Sequence, residues 1–182
     1  MVIKLYYLNI FFIFSLLGHI VENFVYTEVD SGILYGWWTP IYGFGVIAII
    51  LINKYLEKFK LKWYIKIPLL FVISGVVLAI IETIGGYYIE FVFGRVFWSY
   101  PNHFVPIGKY TSLQMMALWG ISSIGLIYVL IPLINKFINK IPNYITQLLV
   151  FLFISDIIYT YSKLANVFTK FFISFINLIK IN

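Results

Sequence analysis

The chain has 182 residues, 62% of them hydrophobic and 11% charged, with a net charge of +6 and a mean hydropathy of +0.96. An ordinary soluble domain carries about 25% charged residues, so this chain cannot cover a water-soluble surface, and its length leaves no room for a soluble catalytic domain beside one membrane domain. With no cysteine, disulfides, thiol catalysis and cysteine metal sites are excluded, and the positive charge, nearly all lysine at span ends, reads as topology and headgroup signal rather than as a nucleic-acid surface.

A bilayer core about 30 Å thick needs roughly 20 helical residues, and five segments meet or approach that length. The first covers about 5–26. Lys4 before an apolar run resembles a signal peptide, but the run is too long and no small-x-small site follows, so it reads as a retained helix. Ser15, His19, Glu22 and Tyr26 share one face of it. His19 and Glu22 lie three apart and can touch. Such a pair either moves protons near neutral pH or glues two helices together. The connection that follows holds Glu28 and Asp30 and no basic residue, then a Gly- and aromatic-rich stretch from Gly32 to Gly45 that includes Trp37, Trp38 and Tyr42. That stretch reads either as a turn with belt aromatics or as non-helical backbone lining a cavity.

The second span, about 40–58, opens after Thr39-Pro40, where proline suits a first helical turn. Lys54, Lys58, Lys60, Lys62 and Lys66 then crowd the connection to the third span, about 66–91. The third span carries Glu82 in its apolar run, where a charge costs about 2.5–3.5 kcal/mol on insertion scales. Gly75, Ala79, Glu82, Gly86 and Glu90 fall on one face, and small residues let a neighbouring helix approach. Glu82 is therefore expected to face protein, either as a helix-to-helix hydrogen-bond acceptor or as a group handling substrate, ion or proton. After it come Arg95, Trp98, Tyr100 and Lys109 in the connection 92–111.

The fourth span covers about 112–134. The fifth, about 143–163, follows Pro142 and carries Asp156, Thr160 and Lys163 as a polar stripe. Asp156 is expected to pair with a lysine, and Lys163 to snorkel to the interface. Residues 164–182 carry Asn166, Lys170, Ser174 and Asn177 at spacings of three or four, which fits an interfacial amphipathic helix or a sixth span.

The fold class is thus all-α: one polytopic transmembrane helical bundle, a single domain of five spans plus a C-terminal amphipathic helix or sixth span. Lysines between spans two and three, and Lys136 and Lys140 between four and five, place the N-terminus in the cytoplasm by the positive-inside rule. Glu22, Glu82, Glu90 and Asp156 then converge in the outer half, with Arg95 and Lys109 as counter-charges. The expected substrate-binding set is Glu82, Glu22, His19, Glu90, Tyr42 and Trp98. There is no P-loop, HExxH or GxSxG, so no ATP hydrolysis by this chain alone, no metal and no cofactor is expected.

Several of these motifs carry a resemblance. Ser15-Leu16-Leu17-Gly18-His19-Ile20-Val21-Glu22, Gly32-Ile33-Leu34-Tyr35-Gly36, Pro40-Ile41-Tyr42-Gly43-Phe44-Gly45, Glu82 with Glu90, Phe97-Trp98-Ser99-Tyr100, Gly108 and Leu118-Trp119-Gly120 together resemble the CmpB-like family over roughly residues 8–134. The family carries the labels ABC-transporter type IV and ABC transporter permease. His19 stands where relatives have an aromatic, Gly36-Trp37 where they have Gly-Pro, and Ser99 where they have an acid. The resemblance implies a transporter component with a separate ATPase subunit, for which the lysine-rich stretch Lys54–Lys66 is the available docking loop. A homo-oligomer in the lipid bilayer is a further partner expectation. Two other readings stay open at this point: an intramembrane enzyme acting on a lipid-like substrate with Glu22, Glu82 and His19 as acid and base, and a non-catalytic assembly subunit.

Overall fold

The structure is a computed structural model whose backbone is described for residues 2–25 and 33–179, with side chains for 5–24 and 33–164. Helix α1 (Val2–Val25) is followed by α2 (Pro40–Glu57) and α3 (Trp63–Phe93). A connection with a two-stranded antiparallel hairpin, β1 (Pro106–Ile107) and β2 (Thr111–Ser112), leads to α4 (Leu113–Gly125). A π-helical turn (Leu126–Leu130) joins α4 to α5 (Ile131–Ile138), and α6 (Asn143–Ile179) ends the bundle. α4, the π turn and α5 form one span, Leu113–Ile138, so five helices among the described residues are long and apolar enough to cross a membrane. This agrees with the five spans expected, with spans three and four extending a few residues further.

The π turn has a local cause. Pro132 has no N–H to donate to the carbonyl four residues back and its ring crowds that position. Just before it, the Ile131 N–H bonds instead to the Leu126 carbonyl, five residues back. One wide turn absorbs the mismatch without breaking the span.

The backbone of α6 runs on to Ile179 without a turn after the fifth span. The side chains of its polar stripe beyond Leu164 lie outside the described residues, as do Tyr26, Glu28 and Asp30.

The core is built from one stripe of each helix. Ile10 and Phe14 of α1, Val46, Ile49 and Ile50 of α2, Leu78 of α3, Leu126, and Ile131 and Ile138 of α5 form one buried cluster. Phe11, Phe12 and Trp38 form a second, against Leu149 and Phe153 of α6. Buried glycines set the closest approaches. A Cβ on Gly75 would sit 2.6 Å from the Met116 carbonyl oxygen of α4, and one on Gly120 would sit 2.6 Å from the Phe71 ring. The small-residue face expected on the third span is therefore the face packed on α4. Gly75→Ala should force α3 and α4 apart and cost about 1–3 kcal/mol, the usual range for overpacking. Thermal unfolding of the detergent-solubilised protein checks it, and an unchanged midpoint would show that this contact does not fix the helix spacing.

Candidate functional site

Glu82 is 5% exposed, on the α4-facing side of α3. Its Oε1 accepts from the Tyr100 hydroxyl at 2.9 Å and its Oε2 from the Trp119 indole N–H at 3.2 Å. Tyr100 comes from the α3–α4 connection and Trp119 from α4, so one carboxylate ties the connection and two helices together. The position follows from the helical period: Glu82 is seven residues after Gly75, which already faces α4.

Glu22 reaches the same layer from α1. Its Oε2 accepts from the Thr39 hydroxyl at 3.4 Å, and Tyr42 of α2 also hydrogen-bonds it. Tyr42 lies flat on Gly18, where a Cβ would come within 2.3 Å of the ring. Its other side meets Trp119 edge to face, with centroids 6.2 Å apart. Glu22 and Glu82 are thus joined through two aromatic residues, Tyr42 and Trp119, each bonded to one carboxylate. Neither carboxylate forms an ion pair among the described residues. Their donors among the described residues are neutral hydroxyl or indole groups.

Several expected members sit elsewhere. His19 does not bond Glu22; its ring stacks on Trp37 at 6.4 Å, and its buried Nδ1 has no partner among the described residues. Glu22 instead turns toward Thr39 and α2, where two hydroxyls are available. Glu90 lies two turns beyond Glu82, half exposed, and is clamped by Lys109 and by the hydroxyl of Tyr110. Lys109 is therefore spent on Glu90 and is no counter-charge for Glu82. The bond to Glu90 holds the Lys109 ammonium above the ordinary lysine range. Arg95 is exposed and carries no ion pair among the described residues. Trp98 lies beside the layer, against Tyr110 and near Gly85, with its buried indole N–H unpaired among the described residues.

The α3–α4 connection is anchored at several points. Gly94 (φ 63°) and Gly108 (φ 66°) adopt left-handed backbone at the α3 end and in the hairpin turn. The Tyr110 ring rests on Gly86, where a Cβ would lie 2.4 Å from it. Ser112 caps α4 by accepting from the Met115 N–H at 3.2 Å, and its hydroxyl also contacts His103 Nδ1. Tyr100 and His103 pack together at 4.7 Å. The hydroxyl of Tyr100 is thereby delivered to Glu82 from an anchored loop.

Asp156 departs from the expected lysine pair. It accepts from the Tyr35 and Gly36 amides at 3.0 and 2.6 Å, from the Trp38 indole at 2.9 Å and from Thr160 at 3.2 Å. The α1–α2 connection offers it three N–H groups with no helical partner, which outcompete a flexible ammonium. Lys163 reaches the Tyr35 hydroxyl at 2.9 Å and lies 4.8 Å from the Tyr35 and Tyr159 rings. Its ammonium is thus held by aromatic partners.

Tyr100 and Trp119, which bond Glu82 at 2.9 and 3.2 Å, are absent from the expected site set. Trp119 was visible within Leu118-Trp119-Gly120, and its place next to the α3-packing Gly120 is the available signal. No group of three or more His, Asp or Glu suited to a metal occurs among the described residues. A family model described as "Putative ABC-transporter type IV" matches residues 9–161. No curated protein and no solved structure matches.

Proposed function

The chain belongs to the family described as "Putative ABC-transporter type IV", and from that premise we propose that it is the membrane-spanning component of a transporter whose ATPase is a separate subunit. Its substrate-binding layer is Glu82 and Glu22, bridged by Tyr42 and Trp119, for a small polar or cationic solute. The observation that carries this reading is a buried carboxyl, Glu82, and a half-buried one, Glu22, with only neutral donors around them among the described residues. A buried carboxylate without a counter-charge is costly. A site of this kind accepts a cation or holds a proton, and aromatic faces beside it suit an organic cation. His19 and Trp98, each with a buried nitrogen unpaired among the described residues at the edge of the layer, supply further polar contacts, and Glu90 acts at the rim by holding the outer connection in place.

The layer lies toward the C-terminal ends of α1 and α3, away from the lysine-rich stretch Lys54–Lys66. The positive-inside argument puts those ends outside and Lys58, Lys60 and Lys62, all exposed, in the cytoplasm, where they form the docking surface for the ATPase. A reporter fused after Lys62 should report cytoplasm; an external signal would invert the orientation. Co-expression with the ATPase should yield a complex with ATPase activity, and reversing the three lysines to glutamate should release it. An intact complex in the triple variant would remove this loop from the interface.

The solute site is tested by thermal shift with sodium, potassium and tetramethylammonium chlorides. At least one should raise the unfolding midpoint of the native protein. Glu82→Gln should keep the fold and lose the shift. An equal shift in Glu82→Gln would overturn the assignment and leave Glu82 a helix-to-helix tie.

A further inference from the structure

At the lysine-bearing end of the bundle, a groove of about 320 Å³ opens between α1, the end of α5 and the start of α6. Phe12, Ile13 and Leu16 form one wall, and Phe137, Ile145 and Leu149 the other. Lys140 stands at its mouth, exposed and without an ion pair among the described residues. A second pocket of about 130 Å³ adjoins it, sharing Asn9 and Ile141, and is lined by Tyr6, Asn139 and Asn143. An apolar groove, a more polar pocket adjoining it and the Lys140 ammonium on the groove lining, 5.9 Å from the Phe137 ring, follow the division of a phospholipid into acyl chain, glycerol–phosphate and charge. The groove opens from spans that cross a membrane, so its surroundings supply such a molecule. It lies along Asn9–Leu16 of α1, on the N-terminal side of Glu22, and shares no lining residue with the solute site.

We propose that this composite cavity binds one anionic phospholipid, with an acyl chain between α1 and α6, the headgroup against Asn139 and Asn143, and the phosphate on Lys140. The charge complementarity selects an anionic over a zwitterionic headgroup, because one lysine at a membrane surface favours an anionic lipid by a modest but measurable factor. The lipid would also fill the gap beside α6, the least buried of the five spans.

The test uses delipidated, detergent-solubilised full-length protein titrated with phosphatidylglycerol or phosphatidylcholine and read by native mass spectrometry. One tightly held lipid per chain is expected, with phosphatidylglycerol about fivefold tighter than phosphatidylcholine. Lys140→Gln should abolish that preference while still binding lipid. Ile145→Trp, which fills the groove from an exposed position, should abolish binding of both, with its unfolding midpoint measured alongside. If that variant fails to fold, Leu149→Phe carries the same test. No headgroup preference in the native protein, or a preference that survives Lys140→Gln, would overturn the proposal. So would undiminished binding in a folded groove-blocked variant.

Discussion

Glu82→Ala should destabilise the protein by about 2–5 kcal/mol, because two donors lose their acceptor together and each unsatisfied buried polar group costs about 1–3 kcal/mol. The Tyr100 hydroxyl and the Trp119 indole both point at this carboxylate, and truncation to alanine removes the acceptor of both from a packed position. Glu82→Gln should cost far less. The amide oxygen can accept from the indole, and the amide N–H₂ can donate to the phenol oxygen of Tyr100, which then turns its own proton elsewhere. The difference between the two variants separates shape from charge. A cycle with Trp119→Phe sharpens it. Residues in one hydrogen-bonded network show coupling of about 0.5–3 kcal/mol, so Trp119→Phe should be nearly free of further cost once Glu82 is alanine. Unfolding of purified protein followed by tryptophan fluorescence and, for the Trp119 variants, by circular dichroism gives the numbers. If Gln proves as harmful as Ala, the negative charge itself holds the fold, and the neutral-donor argument for a cation or proton site fails.

The spans were legible because hydropathy over 20 residues is a strong signal and lipid tolerates little else. The small-residue face of α3 was legible for a related reason: Gly75, Gly86 and Glu82 repeat at the helical period, and one face of a long helix must meet a neighbour. The π turn was not legible, since Pro132 could equally have kinked the helix or ended it. The partners of Glu82 were hidden because Tyr100 is delivered by an irregular connection whose path depends on two left-handed glycines and on Tyr110 packing into the space at Gly86. Sequence spacing places a side chain on a helix face but says little about which loop folds back over it. The same limit explains His19 and Glu22. Their spacing permits contact, yet Thr39 and Tyr42 across the helix interface offer Glu22 better-placed donors, and Trp37 offers His19 a ring to stack on.

Asp156 shows the reverse case, a residue whose chemistry was understated by its sequence context. The stretch 33–39 is non-helical backbone at the end of the spans, and its N–H groups need partners inside the protein. Ser15 accepts from the Thr39 amide at 3.0 Å, and Gly36 accepts from the Trp38 amide at 2.8 Å. The Tyr35 and Gly36 amides and the Trp38 indole depend on Asp156. Gly36 has no room for a side chain, since a Cβ would lie 1.9 Å from the Trp38 indole nitrogen and 2.8 Å from Asp156. Asp156→Ala should therefore cost about 3–5 kcal/mol, more than a typical point change, because hydrogen bonds to a charged group contribute about 1.5–3 kcal/mol each. The loss should not stay local. The same stretch carries Trp37, which stacks on His19, and Thr39, which bonds Glu22. Loosening it frees α6 from the connection and disturbs the Glu22 side of the layer, so protease cleavage within 33–39 should accelerate and tryptophan emission should shift to the red. Asp156→Asn should fall between, since one of its terminal atoms becomes a donor facing donors. Thr160→Ala should be mild, because it removes one of four bonds and leaves the carboxylate in place. Trp38→Phe in the Asp156→Ala background should add only the cost of lost packing against Phe12 and Phe153. If Asp156→Ala leaves both the midpoint and the cleavage rate unchanged, the connection is held by its buried Trp38 alone, and the carboxylate on α6 becomes available for the solute path instead.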